Sequence, residues 1–176
     1  GCPGDMAAER AALLALRDSL DEIRRPVRFL TWKNATPGAG NPQQVIFDNY
    51  PIEEWDIFIG LLWTRFGVPS GYLDEITHEM LTGTEAEFTG AYDAFMASGG
   101  KRPHVLLYRC TRDLPGDVDL DQLQGVRRFF EKCSTHAERP MLHQTFKSST
   151  DLCDLVRTAL IKLHDRQITQ THREEL

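Results

Sequence analysis

Two glutamates at the start of a predicted helix are the side chains of this chain best placed for chemistry. Glu85 and Glu87 are separated by one residue and lie within Leu81–Tyr92, beyond a buried apolar run and a Gly/Pro loop. In open α/β sheets the ligand crevice lies beyond the carboxyl ends of the strands, where the helices begin. A carboxylate there can stabilise positive charge that develops in a reaction. The pair therefore predicts either a reactive group or a helix end.

The helix-end interpretation has its own pattern. Thr84-x-x-Glu87 has the spacing of a capping box, in which the threonine hydroxyl and the glutamate carboxylate satisfy each other's backbone N–H groups. Both carboxylates are also favoured by the helix dipole at this end. On local sequence alone the cap is the stronger hypothesis for Glu87, and the two roles can coexist in one residue.

Composition limits the class of protein. The chain has 176 residues, 41% hydrophobic and 26% charged, which is typical of one globular domain with a core. A net charge of -6 argues against binding nucleic acid or an anionic membrane through bulk charge. Four scattered cysteines without metal-like spacing indicate free thiols in a reducing compartment. With no signal peptide and no apolar run of membrane length, the sequence predicts a cytoplasmic protein.

Strand-like and helix-like patterns alternate along the chain. The predicted strands are Val27–Trp32, Trp55–Trp63, Val105–Cys110 and Met141–Phe146. The predicted helices are Met6–Ile23, Gln43–Tyr50, a helix from the two glutamates to about Ser98, Leu120–Thr135, and one from Ser148 or Ser149 through His164. We expect one α/β domain over residues 1–166, followed by a polar tail or linker over 167–176.

This alternation predicts a doubly wound parallel sheet of the flavodoxin-like kind, with right-handed crossovers. In the strand order 2-1-3-4-5 the first strand occupies the centre of the sheet. The chain instead begins at the turn that should follow that strand, with only Gly1 and Cys2 before it. We therefore expect the first central strand to come from residues upstream of Gly1.

Three motifs in order resemble those of bacterial TIR-like domains. Cys2-Pro-Gly-Asp5 followed by Glu9-Arg10 is similar to the family's opening Ser-Pro-Gly-Asp-x-x-x-Glu-Arg signature, with Cys2 in place of the usual serine. Trp55–Gly60 with Arg65-Phe66-Gly67 resembles the third element of those domains. Thr82–Phe88 resembles their Ser-Gly-Thr-Glu-x-Glu-Phe motif. The resemblance covers Cys2 to about Leu163.

The resemblance implies a function. Enzymatic TIR domains cleave NAD at the nicotinamide–ribose bond, using one glutamate in the helix after the third strand. Nucleoside deoxyribosyltransferases use a similar carboxylate in a Gly-Thr-x-x-Glu context, and both patterns map to Glu87. NAD is then a substrate and no cofactor is required. The family is usually an N-terminal module of larger bacterial signalling or defence proteins and acts on self-association, so fusion to further domains is expected.

Other side chains have weaker claims to the site. Three candidates follow the buried apolar run: Trp63, Arg65 and Phe66. We expect them to line the pocket, by stacking on an aromatic base or pairing with pyrophosphate. The alternative is that Trp63 only ends a core strand and Arg65 is a solvated loop charge. Asp5 is a further ligand-contact candidate, although capping the first helix, braced by Arg10, is the stronger hypothesis. Trp32 and Lys33 are weak candidates at the end of the second strand. The six histidines form no spaced pair of ligands, so no metal site is predicted.

Three functions remain in competition on this basis. The leading hypothesis is an NAD-cleaving effector domain that hydrolyses or cyclises NAD on oligomerisation. A non-catalytic self-association or adaptor module of the same family is the alternative. A nucleoside deoxyribosyltransferase-like enzyme is the third.

Overall fold

A parallel sheet lies at the centre of the fold, as the alternation of predicted strands and helices indicates. The computed structural model describes residues 2–20, 27–135 and 138–174, with side chains as far as residue 166 except that of Asp18. Its strands are β1 (Ile57–Leu62), β2 (Pro69–Leu73), β3 (Met80–Thr82), β4 (His104–Cys110) and β5 (Gln144–Phe146). β4 pairs in parallel with β1 on one side and with β5 on the other. Three predicted strands are therefore confirmed, and the fold is mixed α/β.

Within the described ranges, five α-helices surround the sheet. They are α1 (Ala7–Leu16), α2 (Pro42–Asn49), α3 (Gly83–Ala97), α4 (Leu120–Ser134) and α5 (Ser149–Glu174). Asn41 caps α2, since its side chain accepts the Gln43 N–H ahead of a proline that favours the first helical position. α5 continues ten residues beyond the predicted end at His164. No helix of the described residues is long and apolar enough to cross a membrane.

Helices cover both faces of the sheet. Leu61 of β1 joins a buried cluster with α1 and α5, which also holds Leu13, Leu16, Leu152, Val156 and Leu160. Phe58 and Leu62 point the other way, into a cluster with α3 and α4 that holds Phe88, Val126, Phe129 and Phe130. Each such side chain contributes about 1.5–3 kcal/mol when fully buried. This two-sided burial explains why β1 reads as a continuous apolar run.

The predicted second strand is not a paired strand in the structure. Residues 27–31 are extended but belong to neither sheet, and a short 3₁₀ turn at Trp32–Asn34 follows them. A strand is stabilised by ladder hydrogen bonds to a neighbour, and among the described residues this segment has no neighbouring strand. The first helix is shorter than the predicted Met6–Ile23, since α1 ends at Leu16. Residues 21–23 of the predicted helix lie outside the described part of the chain.

An antiparallel hairpin interrupts the α/β alternation. β2 and β3 pair in the stretch between the buried apolar run and the two glutamates, where no strand was predicted, and Leu73 lies opposite Met80. Arg139 anchors the hairpin, since its guanidinium contacts Asp74 Oδ2 at 2.6 Å and Asp93 Oδ2 of α3 at 2.8 Å. β3 then leads directly into α3, so the hairpin determines where that helix begins.

Candidate functional site

The capping box of α3 is formed by Thr82 and Glu85. Glu85 N donates to Thr82 Oγ1 at 3.3 Å, and Thr82 N donates to Glu85 Oε2 at 2.9 Å. The predicted Thr84–Glu87 capping box is therefore wrong. Both pairs have the same Thr-x-x-Glu spacing, but β3 ends at Thr82 and leaves that residue extended, which is the backbone conformation of a cap.

Glu85 is committed to this helix end. Burial raises the pKa of its carboxyl above the ordinary value, against the opposing effects of the hydrogen bonds with Thr82 and the positive charge of Lys132. Its Oε2 accepts the hydrogen bond from Thr82 N, so the orientation of the Glu85 side chain is explained without a ligand. Glu87 therefore takes no part in the capping box.

Glu87 lines a cavity of about 480 Å³. The cavity wall includes the extended residues 27–31, Trp32, and the β1 residues Ile57, Ile59 and Leu61. It is closed by Leu13 of α1, by Leu160 and Leu163 of α5, and by Ile46 and Tyr50 of α2 and its end. The volume is in the range of small-molecule sites, which are mostly apolar with few polar groups. Its polar groups include half-buried Glu87, Arg10 and Cys2, and the exposed side chains of Arg28, Glu54 and Asp56 also line it.

Asp5 orders the loop after β1 and does not cap the first helix. Its Oδ2 accepts from Thr64 N at 2.9 Å, Thr64 Oγ1 at 2.8 Å and Arg65 N at 3.0 Å. The first helical turn has no side-chain cap, so the predicted capping role of Asp5 is wrong. Asp5 thereby fixes the chain just beyond the carboxyl end of β1, where a crevice is expected.

The three residues predicted to line the pocket lie apart from the cavity of Glu87. Trp63 packs beneath Arg112, whose guanidinium carbon is 3.7 Å from the indole ring. Arg65 is exposed. Phe66 packs on Phe129 at 5.5 Å between ring centroids. None of these three forms part of the cavity wall among the described residues. Their contact with a ligand stays a prediction, whereas Trp32, a weaker candidate, does line the cavity.

A buried ion pair near the carboxyl end of β4 was missed from the sequence. Glu9 is fully buried, and its Oε1 contacts Arg112 Nη1 at 2.5 Å and accepts from Ser149 Oγ at 3.4 Å. The signal was available, since Glu9 precedes Leu13 and Leu16 on the same face of a helix at spacings of four and seven. A carboxylate on an apolar face predicts a buried partner.

The described residues offer neither a metal cluster nor an activated thiol. No group of three or more His, Cys, Asp or Glu side chains in the described ranges is arranged to hold a metal ion. All four cysteines are free. Burial raises the pKa of each thiol, that of Cys133 to about 11, so thiolate chemistry is disfavoured near neutral pH. Among the described carboxylates that line the cavity, Glu54 and Asp56 are exposed and Glu87 is half-buried, which makes Glu87 the candidate reactive group.

Comparison with known proteins adds no relative: no family model, no curated protein and no solved structure matches this chain.

Proposed function

We propose that this chain is a TIR-like effector domain of flavodoxin-like fold that cleaves the nicotinamide–ribose bond of NAD. One observation supports it most: Glu87 lines a cavity of ligand size, while the neighbouring Glu85 is held in the cap of α3. The helix cap thus accounts for Glu85, while Glu87 is the residue to which the family's motifs map. The proposed setting is cytoplasmic, in bacterial defence or signalling, within a larger protein that brings several copies together.

The chemistry needs few groups from the protein. As the bond between ribose C1′ and the nicotinamide nitrogen breaks, its electron pair goes to the nitrogen, and the cationic ring leaves as neutral nicotinamide. Positive charge develops on the ribose, and the role proposed for the Glu87 carboxylate is to stabilise that charge or to bind the ribose hydroxyls. Water then adds at C1′ and releases a proton, or an adenine nitrogen of the same NAD closes a cyclic product.

Aromatic groups of the cavity suit the rest of such a ligand. Trp32 is 54% exposed and Tyr50 is half-buried, and both belong to the wall that includes Glu87. An indole ring presents a flat face to a nicotinamide or adenine ring, and such pairs contribute about 0.5–1.5 kcal/mol beyond area burial. In this proposal Trp32 takes the base-stacking role that was predicted for Trp63 and Phe66.

The test is release of nicotinamide from NAD by the chain held at high local density, for example through a terminal His-tag on nickel-lipid vesicles. Clustered protein should release nicotinamide faster than the same amount of protein in solution. Absence of release in both states would contradict the proposal. Free nucleosides offered with an acceptor base form a parallel arm, and base exchange there without NAD cleavage would favour the deoxyribosyltransferase-like alternative.

A self-association module is the second candidate, and the β2–β3 hairpin favours it. Val68, Leu73, Ile76 and Met80 are 75%, 57%, 55% and 52% exposed. Leu73 and Met80 lie opposite each other in the hairpin, and exposed apolar patches are typical of protein–protein contact surfaces. Concentration-dependent association without NAD turnover, even in clustered protein, would support this function over catalysis.

A further inference from the structure

A half-buried arginine on β4 has no acidic partner. Within the described ranges, no carboxylate pairs with Arg109 and no side-chain hydrogen bond holds its guanidinium. Two other partly buried arginines, Arg112 and Arg139, each contact a buried carboxylate. A charge withdrawn from water is costly unless it is paired. The half-buried guanidinium of Arg109 therefore calls for an anion from outside the chain.

An aromatic ring supports this guanidinium. The guanidinium carbon of Arg109 lies 5.1 Å from the ring centre of Phe130. Phe130 belongs to α4, is only 1% exposed and packs in the cluster between α3, α4 and the sheet. A guanidinium that lies over an aromatic face directs its N–H groups outward from the edge of its own plane. The donors of Arg109 are thus held over a rigid surface and remain available.

Two further polar side chains lie beside Arg109 on the same face of the sheet. The imidazole of His143 is 4.5 Å from the same Phe130 ring, centre to centre. Thr145 of β5 is the ladder neighbour of Arg109. Because Phe146 packs into the cluster with α1 and α5, the adjacent Thr145 points to the opposite face, where Arg109 lies. Within the described ranges neither His143 nor Thr145 has a side-chain hydrogen bond.

The three side chains together offer donors and positive charge. Burial lowers the pKa of His143, and the charge of Arg109 lowers it further, so the imidazole is within electrostatic reach of the guanidinium. A neutral imidazole still donates one N–H, and the threonine hydroxyl donates one O–H. Thr145 is exposed, so a ligand reaches the three groups from solvent. An anion bound here would be attracted by Arg109 and would accept hydrogen bonds from all three.

We propose that Arg109, His143 and Thr145 form a binding site for the phosphate group of a small molecule. The fork of the guanidinium holds two phosphate oxygens at once. The imidazole N–H and the threonine hydroxyl donate to the remaining oxygen acceptors. A phosphate monoester offers three terminal oxygens, whereas a carboxylate offers two, which the fork alone would satisfy. The number of donors therefore favours phosphate over carboxylate.

This site is separate from the cavity of Glu87. That cavity lies along β1, and none of Arg109, His143 and Thr145 belongs to its wall. β4 lies between β1 and β5, and neighbouring strands are about 4.8 Å apart, so Thr145 is roughly two strand spacings from β1. The phosphate site does not depend on the proposed NAD chemistry, and its test measures binding without any turnover.

Titration with inorganic phosphate, followed by the NMR resonances of the His143 imidazole, tests the site. The resonances are assigned by their loss in His143→Gln, and the Thr145 amide provides a second signal. Sodium phosphate is compared with sodium acetate at one pH and constant ionic strength, so that screening is the same. Phosphate should shift both signals saturably and bind at least about tenfold more tightly than acetate.

Two substitutions of Arg109 separate its charge from its geometry. Arg109→Gln should weaken phosphate binding at least about tenfold, because charge-assisted hydrogen bonds are lost. Arg109→Lys keeps the cation near Phe130 but not the fork, and should bind phosphate more weakly than the parent by at least about threefold. Arg128→Gln is the matched control, since Arg128 is exposed on α4, and it should bind phosphate as the parent does. Melting temperatures without phosphate show which variants are folded.

Glycerol phosphate and adenosine monophosphate distinguish the sources of the phosphate group. Equal affinity for the two would show that the site binds the phosphate alone, and tighter binding of the second would identify a nucleotide. Both results support the proposal. Equal affinity for phosphate and acetate would overturn it, as would parental affinity in Arg109→Lys, which retains the cation and is the decisive variant if Arg109→Gln does not fold. An equal loss in Arg128→Gln would show diffuse attraction to surface charge and exclude a site.

Discussion

Thr82 and Glu85 form two hydrogen bonds with each other: Glu85 N donates to Thr82 Oγ1, and Thr82 N donates to Glu85 Oε2. Each residue of an α-helix turns the chain by about 100°, so a side chain two positions further on points about 200° away. The cap therefore directs Glu85 back to the start of α3 and Glu87 to the cavity wall. This relationship separates a structural glutamate from the proposed catalytic one.

The first prediction concerns that cap. Thr82→Ala should lower the free energy of unfolding by about 1 kcal/mol, because the Glu85 N–H loses its acceptor. For a domain of this size the melting temperature should fall by about 2–4 °C. Thr82→Ser should restore most of the loss, since serine caps equally well. Thr89→Ala, later in the same helix, is the matched control, and an equal loss there would argue against the cap.

A second prediction concerns the anchor of the β2–β3 hairpin. Arg139 and Asp74 have side chains only 10% and 5% exposed. Burial alone opposes the charged form, but the N–H groups of Thr77 and Ile76 and the charge of Arg139 hold the pKa of Asp74 below its ordinary value. Arg139→Met leaves this buried carboxylate without its cation, which should destabilise the protein by about 3 kcal/mol or more in urea unfolding.

The exposed ion pair between Lys132 and Glu79, 2.9 Å apart, provides the matched control for Arg139. It also ties the hairpin to a helix, but its side chains are 56% and 65% exposed. Lys132→Met should therefore change stability by less than about 1 kcal/mol. Equal effects of the two substitutions would show that burial does not decide the strength of these anchors. Hydrogen exchange should accelerate first in 69–82 of Arg139→Met.

Stability should fall as the pH drops below about 6.5, the ordinary pKa of histidine. Burial lowers the pKa of His143, helped by the charge of Arg109, and burial likewise lowers that of His104. A pKa lowered by folding contributes stability that is present above the unfolded value and is lost as pH falls through the folded value. Glu85 has the opposite sign, since its raised pKa favours the folded state at low pH.

His143→Gln isolates one part of this pH dependence. The variant should show a shallower fall in the free energy of unfolding between about pH 7 and pH 5 than the parent protein. Urea titrations at several pH values measure the difference directly, and the contribution of Glu85 cancels because both proteins contain it. A slope identical to that of the parent would contradict the assignment to His143.

The strands were predictable where burial is strong. β1 and β4 are apolar runs bounded by loops, and continuous apolar runs are typical of strands covered on both faces. The β2–β3 hairpin was missed because Pro69, Ser70 and Gly71 are turn formers that here lie in an outlying strand. Residues 27–32 were predicted as a strand from the side-chain pattern, which carries no information on whether a neighbouring strand is present to pair with.

The site was predictable in type but not in detail. The motif located Glu85 and Glu87, yet Thr82 and Thr84 give the same cap spacing, and only the end of β3 decides between them. The sequence placed Trp63 and Phe66 at the right end of a strand, but packing against Arg112 and Phe129 takes them away from the cavity. Such long-range contacts are set by the fold and leave no local pattern.

Paired substitutions of the two glutamates test the central claim most directly. Nicotinamide release from NAD is measured for clustered parent protein, Glu87→Gln and Glu85→Gln, with melting temperatures recorded to show that all three are folded. Glutamine retains the shape of glutamate and still completes a capping box. Loss of the charge that stabilises the transition state should slow Glu87→Gln at least about 100-fold, and Glu85→Gln should stay within about threefold of the parent. Release by Glu87→Gln at the parental rate would contradict the account.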